Sequence, residues 1–269
     1  MLFISGLSKS TYYYELQKED FDSKNRDLIE KIKEIFFKHN SNYGVRRVYH
    51  QLLRHGIIVN HKKVQRIMHK YGLSAKKHAQ KYHSYQGHVG AVADNLIQRN
   101  FSASKPNEKW TTDVSQFKIR DCKCYLSPIM DMYNNEIVGY DLSTKANYEQ
   151  IERMFKSANL EAKDLTKLTM HSDQGWQYQN PRFVQTLEEH GITQSMSRKG
   201  NCMDNSIMES FFSIMKNEMF YGHEDEYKSF EEFKKVVDDY IYYYNNERIK
   251  KKTNWMSPIQ YRIQNGFST

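Results

Sequence analysis

Apolar residues recur with two different periods along this chain, and the change from one to the other divides it. In the first third the spacing is helical. Leu28, Ile32, Ile35 and Phe36 share one face of a segment over residues 27–39. After Asn40-Ser41-Asn42-Tyr43-Gly44, the positions of Val45, Val48, Leu52 and Leu53 predict a second helix. It stops at His55-Gly56, where glycine suits a helix C-terminus. Asn60 is placed to cap a third helix over residues 61–71, with Val64, Ile67 and Met68 inward and Gly72 ending it. Two short helices, a brief linker and a basic last helix make a helix-turn-helix arrangement. On that last helix Lys62, Lys63, Gln65 and Arg66 point outward, toward solvent or toward the phosphates and base edges of a nucleic acid.

At Trp110 the period changes to that of strands. Residues 110–119, 124–132 and 136–142 read as three consecutive strands, with turns at Arg120-Asp121 and Asn134-Asn135. Helical spacing returns over 148–160. Residues 168–171 then predict a short buried strand, 181–190 a helix with proline in its first turn, and 192–196 another strand. Past a basic, glycine-bearing loop at 197–201, Asp204 or Asn205 is expected to cap a helix carrying Glu209. A long helix follows over residues 230–246, with Phe233, Val236, Val237, Tyr240, Ile241 and Tyr244 as its apolar stripe. Three strands followed by alternating helix and strand describe a mixed α/β sheet flanked by helices. The boundaries expected are an N-terminal helical segment (1–24), a helix-turn-helix-like DNA-binding domain (25–74), a basic linker (75–104) and a core with a C-terminal helical extension (105–269).

Composition narrows the class. The 269 residues are 39% hydrophobic and 27% charged, and no apolar run approaches the roughly 20 residues of a membrane span. The apolar block at the start is too short for a secretory signal. Three cysteines (Cys122, Cys124, Cys202) are odd in number, which argues against a disulfide framework and for a reducing, cytoplasmic location. The net charge of +8 is uneven: residues 1–100 carry 18 Lys and Arg against 8 Asp and Glu, while residues 101–269 carry 22 against 24. No acid occurs from Ile35 through Ala93, a window with eleven Lys or Arg, which attracts a polyanion through counterion release.

The candidate chemistry lies in the second half. Asp113 stands in an extended stretch, Asp173 where a short apolar run meets the turn at Gln174-Gly175, and Glu209 on a new helix. Each has a plain structural use: a strand Asp paired with Lys109, an Asx-turn residue, a solvated helix Glu. Together, acids from a strand, a strand end and a helix suit a pair of divalent cations acting on a phosphodiester. Lys216, seven residues after Glu209, returns to within about 20° on the same helix face. A salt bridge to Glu209 or Glu218 is the alternative to a role with substrate. His171 is placed either to orient Asp173 or simply to fill the core. The tyrosine runs 12–14 and 242–244 suit packing.

These residues sit in motifs. Asp113, His171-Ser172-Asp173-Gln174-Gly175, Ser195-Met196-Ser197-Arg198-Lys199-Gly200-Asn201, Asp204-Asn205, Glu209-Ser210-Phe211-Phe212 and Lys216-Asn217-Glu218 closely resemble the catalytic core of bacterial insertion-sequence transposases of the OrfB type, within the retroviral-integrase superfamily. Gly6-Leu7-Ser8-Lys9-Ser10-Thr11-Tyr12-Tyr13, Tyr43-Gly44-Val45-Arg46-Arg47, Tyr244-Asn245-Asn246-Glu247-Arg248 and Ser257-Pro258 resemble the rest of that family. The resemblance implies an RNase H-like five-stranded mixed sheet. It also implies a catalytic, metal-binding triad of Asp113, Asp173 and Glu209 holding two Mg²⁺ ions, with Mn²⁺ able to substitute. DNA contacts are expected from Lys216, Arg198 and Lys199 in the core and from Arg46, Arg47, Lys62, Lys63 and Arg66 in the basic helices. The implied activity is cleavage of element ends and joining of 3′-hydroxyls to target DNA. Its partners are double-stranded DNA (terminal repeats and target), a homo-oligomer on paired ends, and an upstream-frame product or a fusion with it. The alternatives are a non-catalytic DNA-binding regulator of transposition and an RNase H-like nuclease on hybrids.

Overall fold

The computed structural model describes residues 8–11, 20–75, 92–160, 165 and 167–268. The tyrosine run 12–14, most of the Gly6–Tyr13 motif, and the linker residues Lys76-Lys77-His78 and Gly87 to Gly90 lie outside the described residues. The chain forms two compact units, Met1–Lys76 and Lys77–Thr269.

The first unit is helical: α1 (Phe21–Lys24), α2 (Arg26–Lys38), α3 (Val45–Arg54) and α4 (His61–Lys70). Ile29, Ile32, Ile35 and Phe36 of α2 pack with Val48 and Leu52 of α3 and Val64, Ile67 and Met68 of α4, all buried. The buried face of α2 turns slightly from the expected one, since Ile29 rather than Leu28 closes it. The Asn60 side chain accepts from the Lys62 N–H, as its capping role requires, and Gly56 and Gly72 end their helices with positive φ.

The second unit holds one mixed sheet. Its strands are β1 (Lys109–Thr112), β2 (Ser115–Ile119), β3 (Cys122–Asp131), β4 (Ile137–Ser143), β5 (Thr169–Ser172) and β6 (Thr193–Met196). Helices α5 (Tyr148–Ser157) and α6 (Pro181–Glu189) interleave with the later strands. A 3₁₀ turn (Cys202–Asn205), α7 (Ser206–Met215), a π turn (Lys216–Phe220), α8 (Phe230–Asn246) and α9 (Pro258–Gln264) complete the unit. The expected first strand is broken in two. Thr112 pairs with Ile129 and Ser115 with Leu126, so β1 and β2 run along the same edge of β3 in one register, and Asp113 stands opposite Pro128. Proline has no N–H for the ladder. On the other side of Pro128, Tyr140 turns its N–H and C=O away to the Ser157 hydroxyl, so the missing donor falls on the Asp113 side. Counting β1 and β2 as one, the sheet has the expected five positions, in the order β4, β3, β1/β2, β5, β6. β3 is antiparallel to both neighbours, while β1, β5 and β6 are parallel.

Each sheet face carries its own apolar layer. Phe117, Cys124, Leu126 and Met130 meet Met208, Phe211, Phe212 and Met215 of α7 and Phe233, Val237 and Ile241 of α8 on one side. Trp110, Ile129, Met170 and Met196 meet Ile151, Met154 and Phe155 of α5 and Phe183 and Leu187 of α6 on the other. Gly139 permits the close approach of α5 to β4, where a Cβ would lie 2.6 Å from that of Ala158.

Candidate active site

Asp113 occupies the break between β1 and β2, where its carboxylate Oδ1 accepts the Val114 N–H at 2.8 Å. β5 runs parallel beside β1 with Thr111 opposite His171, so Asp113 and Asp173, each two residues further on, come level at the same sheet end. Residues two apart on a strand share a face, and Thr111 reaches toward α7, its hydroxyl donating to the Asn205 side chain at 3.1 Å. Glu209 projects from the first turn of α7 and is half-buried. Three distant stretches thus bring their acids to one end of the sheet.

Electrostatics records the convergence. Dehydration pushes the Asp113 carboxyl well above the ordinary carboxylate range, the charge of Asp173 pushes it further, and Glu209 adds to this. The Val114 N–H and Lys216 offset part of the effect. Burial also raises Asp173, against the opposing Gly175 N–H at 2.9 Å, and raises Glu209. Among the described residues no three acidic, histidine or cysteine side chains are gathered tightly enough to enclose an ion. The donor set nevertheless suits a hard divalent cation: three carboxylates, no sulfur, and mutual repulsion that a cation relieves.

Gly175 is fixed by this arrangement, because a Cβ there would sit 2.9 Å from Asp173 Oδ1 and 3.0 Å from the Gln177 amide. Gly175→Ala is expected to displace the Asp173 carboxylate and lower any DNA-processing rate by about 100-fold, the scale of a 1 Å misplacement. Its melting temperature should stay close to the parent's. Equal rates for parent and variant, measured on a substrate the parent processes, would show that Asp173 needs no such freedom.

Lys216 opens the π turn, and its Nζ donates to the Gln116 carbonyl at 3.1 Å and lies 4.8 Å over the Phe117 ring. Burial lowers its pKa while Asp113 raises it. The alternative salt bridge to Glu218 does not form, since Glu218 takes the Arg248 guanidinium with two bonds of 2.7 Å. Arg198 also faces away from the acids, and its guanidinium grips the Asp204 carboxylate at 2.8 and 2.9 Å. Lys199 is exposed in the same loop. In the helical unit Arg46, Lys62 and Arg66 are exposed, Lys63 is half-buried, and Arg47 lies 5.3 Å from the Tyr43 ring.

The expectation that Asp204 or Asn205 caps α7 with its side chain is corrected. α7 has no side-chain cap bond. Asp204 is instead a buried hub whose carboxylate takes Arg198, Arg99 Nε at 2.8 Å and Asn95 Nδ2 at 3.0 Å, and these partners hold it far below the usual carboxylate range. Its carbonyl accepts from His171 Nε2 at 2.9 Å. That assigns the proton to Nε2, leaving Nδ1 to accept from the Ser195 hydroxyl at 2.9 Å, while Ser195 Oγ accepts the Leu96 N–H. Asn95, Leu96 and Arg99 lie in the stretch read from sequence as linker. No local signal marked them, because their partners are some hundred residues away.

A five-position sheet of this order, with acids converging on its end and a helix-turn-helix-like unit in the same chain, defines the class as an RNase H-like integrase core with a DNA-binding type of helical domain. Comparison with known proteins agrees. Residues 103–202 and 209–265 each match an integrase core domain, and residues 23–82 an HTH-like domain. A transposase-like protein of Haemophilus influenzae is 54% identical over 212 residues, covering 79% of this chain and 97% of that one. The putative transposase InsK of insertion sequence element IS150 in Escherichia coli is 43% identical over 264 residues, covering 98% and 93%. The magnesium-bound catalytic core of HTLV-2 integrase aligns with a TM-score of 0.45 at 18% identity, covering 58% of this chain and 97% of that one. The chain belongs to the insertion-sequence transposases of the OrfB type. No helix among the described residues is long and apolar enough to cross a membrane.

Proposed function

We propose that this protein is a DDE transposase that cuts the ends of its element and joins the resulting 3′-hydroxyls to target DNA. The observation that carries the reading is the Asp113 carboxyl, which feels the charges of Asp173 and Glu209 together, with the Lys216 cation opposing them. Three acids crowded at the cost of repulsion are poorly explained by stability alone. In this reading Asp113, Asp173 and Glu209 hold Mg²⁺, two ions by the chemistry of the reaction, with Mn²⁺ able to replace it. When bound, the metal activates the attacking oxygen and polarises the phosphoryl group. The chain's own part is placement. The strand break at Pro128 presents Asp113 at the sheet end, the turn at Gly175 aims Asp173, and α7 carries Glu209 across. Lys216, held on a backbone carbonyl at 3.1 Å, is within reach of exchanging that partner for a DNA phosphate.

Double-stranded DNA is the substrate, bound as terminal repeats and as target. The exposed cations of the helical unit supply salt-sensitive affinity. A homo-oligomer on paired ends, with an upstream-frame product or a fusion to it, completes the working complex. The test is strand transfer on oligonucleotide copies of the element ends, with the upstream product present. Asp113→Asn, Asp173→Asn and Glu209→Gln should each lose joining while still shifting DNA in a gel. Four proteins of equal activity would remove the assignment. Salt-sensitive binding with no cleavage by the parent in Mg²⁺ or Mn²⁺ would identify a regulator instead.

A further inference from the structure

The polar hub at Asp204 joins the three acid-bearing elements to one another, and its bonds fall at regular offsets from the acids. On β5, His171 precedes Asp173 by two residues and donates to the Asp204 carbonyl at 2.9 Å. On β1, Thr111 precedes Asp113 by two and donates to Asn205 Oδ1 at 3.1 Å. Asp204 and Asn205 end the turn that launches α7, so both strands grip the root of the helix carrying Glu209. Behind the hub, a segment upstream of the sheet acts as a strap. Arg99 Nε and Asn95 Nδ2 hold the Asp204 carboxylate at 2.8 and 3.0 Å, and the Leu96 N–H donates to Ser195 Oγ, itself bonded to His171. Thr111, His171, Ser195, Asp204 and Asn205 are all buried. Short, fully partnered polar bonds in a low-dielectric interior fix geometry more narrowly than apolar contact does.

We propose that Thr111 and His171 are positioning residues which, through Asn205 and the strapped Asp204, set the reach of Glu209 toward the Asp113–Asp173 pair. This rests on the three-acid metal site proposed above. Neither residue touches substrate; each acts on an acid through backbone it holds in register. Outer partners of this kind typically change metal affinity 10- to 100-fold when removed. Thr112 provides an internal comparison, since it is as buried as Thr111 but turns its hydroxyl to Met154 and Tyr178 on the opposite face.

The experiment is Mn²⁺ titration of the full-length chain, reading free ion by electron paramagnetic resonance, at a folded fraction matched by circular dichroism. Thr111→Val and His171→Asn should each weaken Mn²⁺ binding by about 10-fold or more. Thr112→Val should lower the melting temperature without moving the Mn²⁺ dissociation constant. Unchanged binding in Thr111→Val, beside weakened binding in Glu209→Gln, overturns the positioning role alone. Equal weakening by Thr112→Val also overturns it, because general loosening then suffices. Unchanged binding in Glu209→Gln removes the metal site itself, and the positioning role with it. Thr111→Val keeps its shape, so the test stands even if His171→Asn fails to fold.

Discussion

Asp113→Asn is expected to melt at a higher temperature than the parent in metal-free buffer at neutral pH, while its strand-joining rate falls by a factor of about 1000 or more. The second figure corresponds to roughly 4 kcal/mol of transition-state stabilisation. The first follows from the crowding. The Asp113 carboxyl is dehydrated and faces two like charges, so the fold favours its protonated form. A raised folded-state pKa contributes stability below the ordinary value of 3.8 and loses it as pH rises through the folded value. The amide has the same shape, keeps an oxygen for the Val114 N–H and carries no charge to repel. The melting difference between variant and parent should therefore be small near pH 4, widen as pH rises, and level off once Asp113 is ionised. Each kcal/mol relieved is worth about 2–4 °C in a domain of this size. Asp204 runs the other way: Arg198 and Arg99 depress it, so its contribution is present at neutral pH and lost toward strong acid. Both proteins share that loss, which cancels in the difference. Adding Mg²⁺ should narrow the gap, because a ligand that binds only the parent's folded state stabilises only the parent. A variant melting below the parent throughout would mean that Asp113 is paired in the fold rather than crowded.

The three acids were legible before any coordinates because motif and period agreed: a strand, a strand end and a helix start each carried one. Their meeting at one sheet end follows from the parallel pairing of β1 with β5, which the short buried run before His171 already suggested. What sequence left out is set by long-range partners. Nothing local announces that Pro128 stands opposite Asp113, since register depends on the whole β3 ladder. The hub at Asp204 was equally hidden. A Ser/Thr/Asp/Asn before a helix reads as a cap, and only the arrival of Arg99 from the supposed linker diverts it. Lys216 was placed on the face of Glu209 by ideal helix geometry, but α7 ends at Met215 and a π turn takes over. Such turns recur at functional sites, where the wider spacing re-aims a side chain.

The π turn owes its anchorage to a pair that sequence showed only as two separate motifs, Lys216-Asn217-Glu218 and Tyr244-Asn245-Asn246-Glu247-Arg248. Glu218 and Arg248 meet through two bonds of 2.7 Å, and the Tyr240 hydroxyl donates to the same carboxylate at 2.9 Å. Both are nearly sealed from water, with side chains 9% and 2% exposed. Arg248→Met should cost about 3–5 kcal/mol, since it strips a buried carboxylate of its cation. At 2–4 °C per kcal/mol the core transition falls by roughly 10 °C. Glu218→Gln with Arg248→Met should recover most of that loss, because two neutral side chains of similar volume leave no buried charge. The double variant should nonetheless remain slow in strand joining. Without the ion pair nothing equally directional ties the turn to α8, and Lys216 at its start loses the fixed approach to Gln116 and the acids. Stability restored with activity still low would separate the pair's role in aiming Lys216 from its role in folding. A single Arg248→Met variant that melts within about 1 °C of the parent would show that the pair is neither.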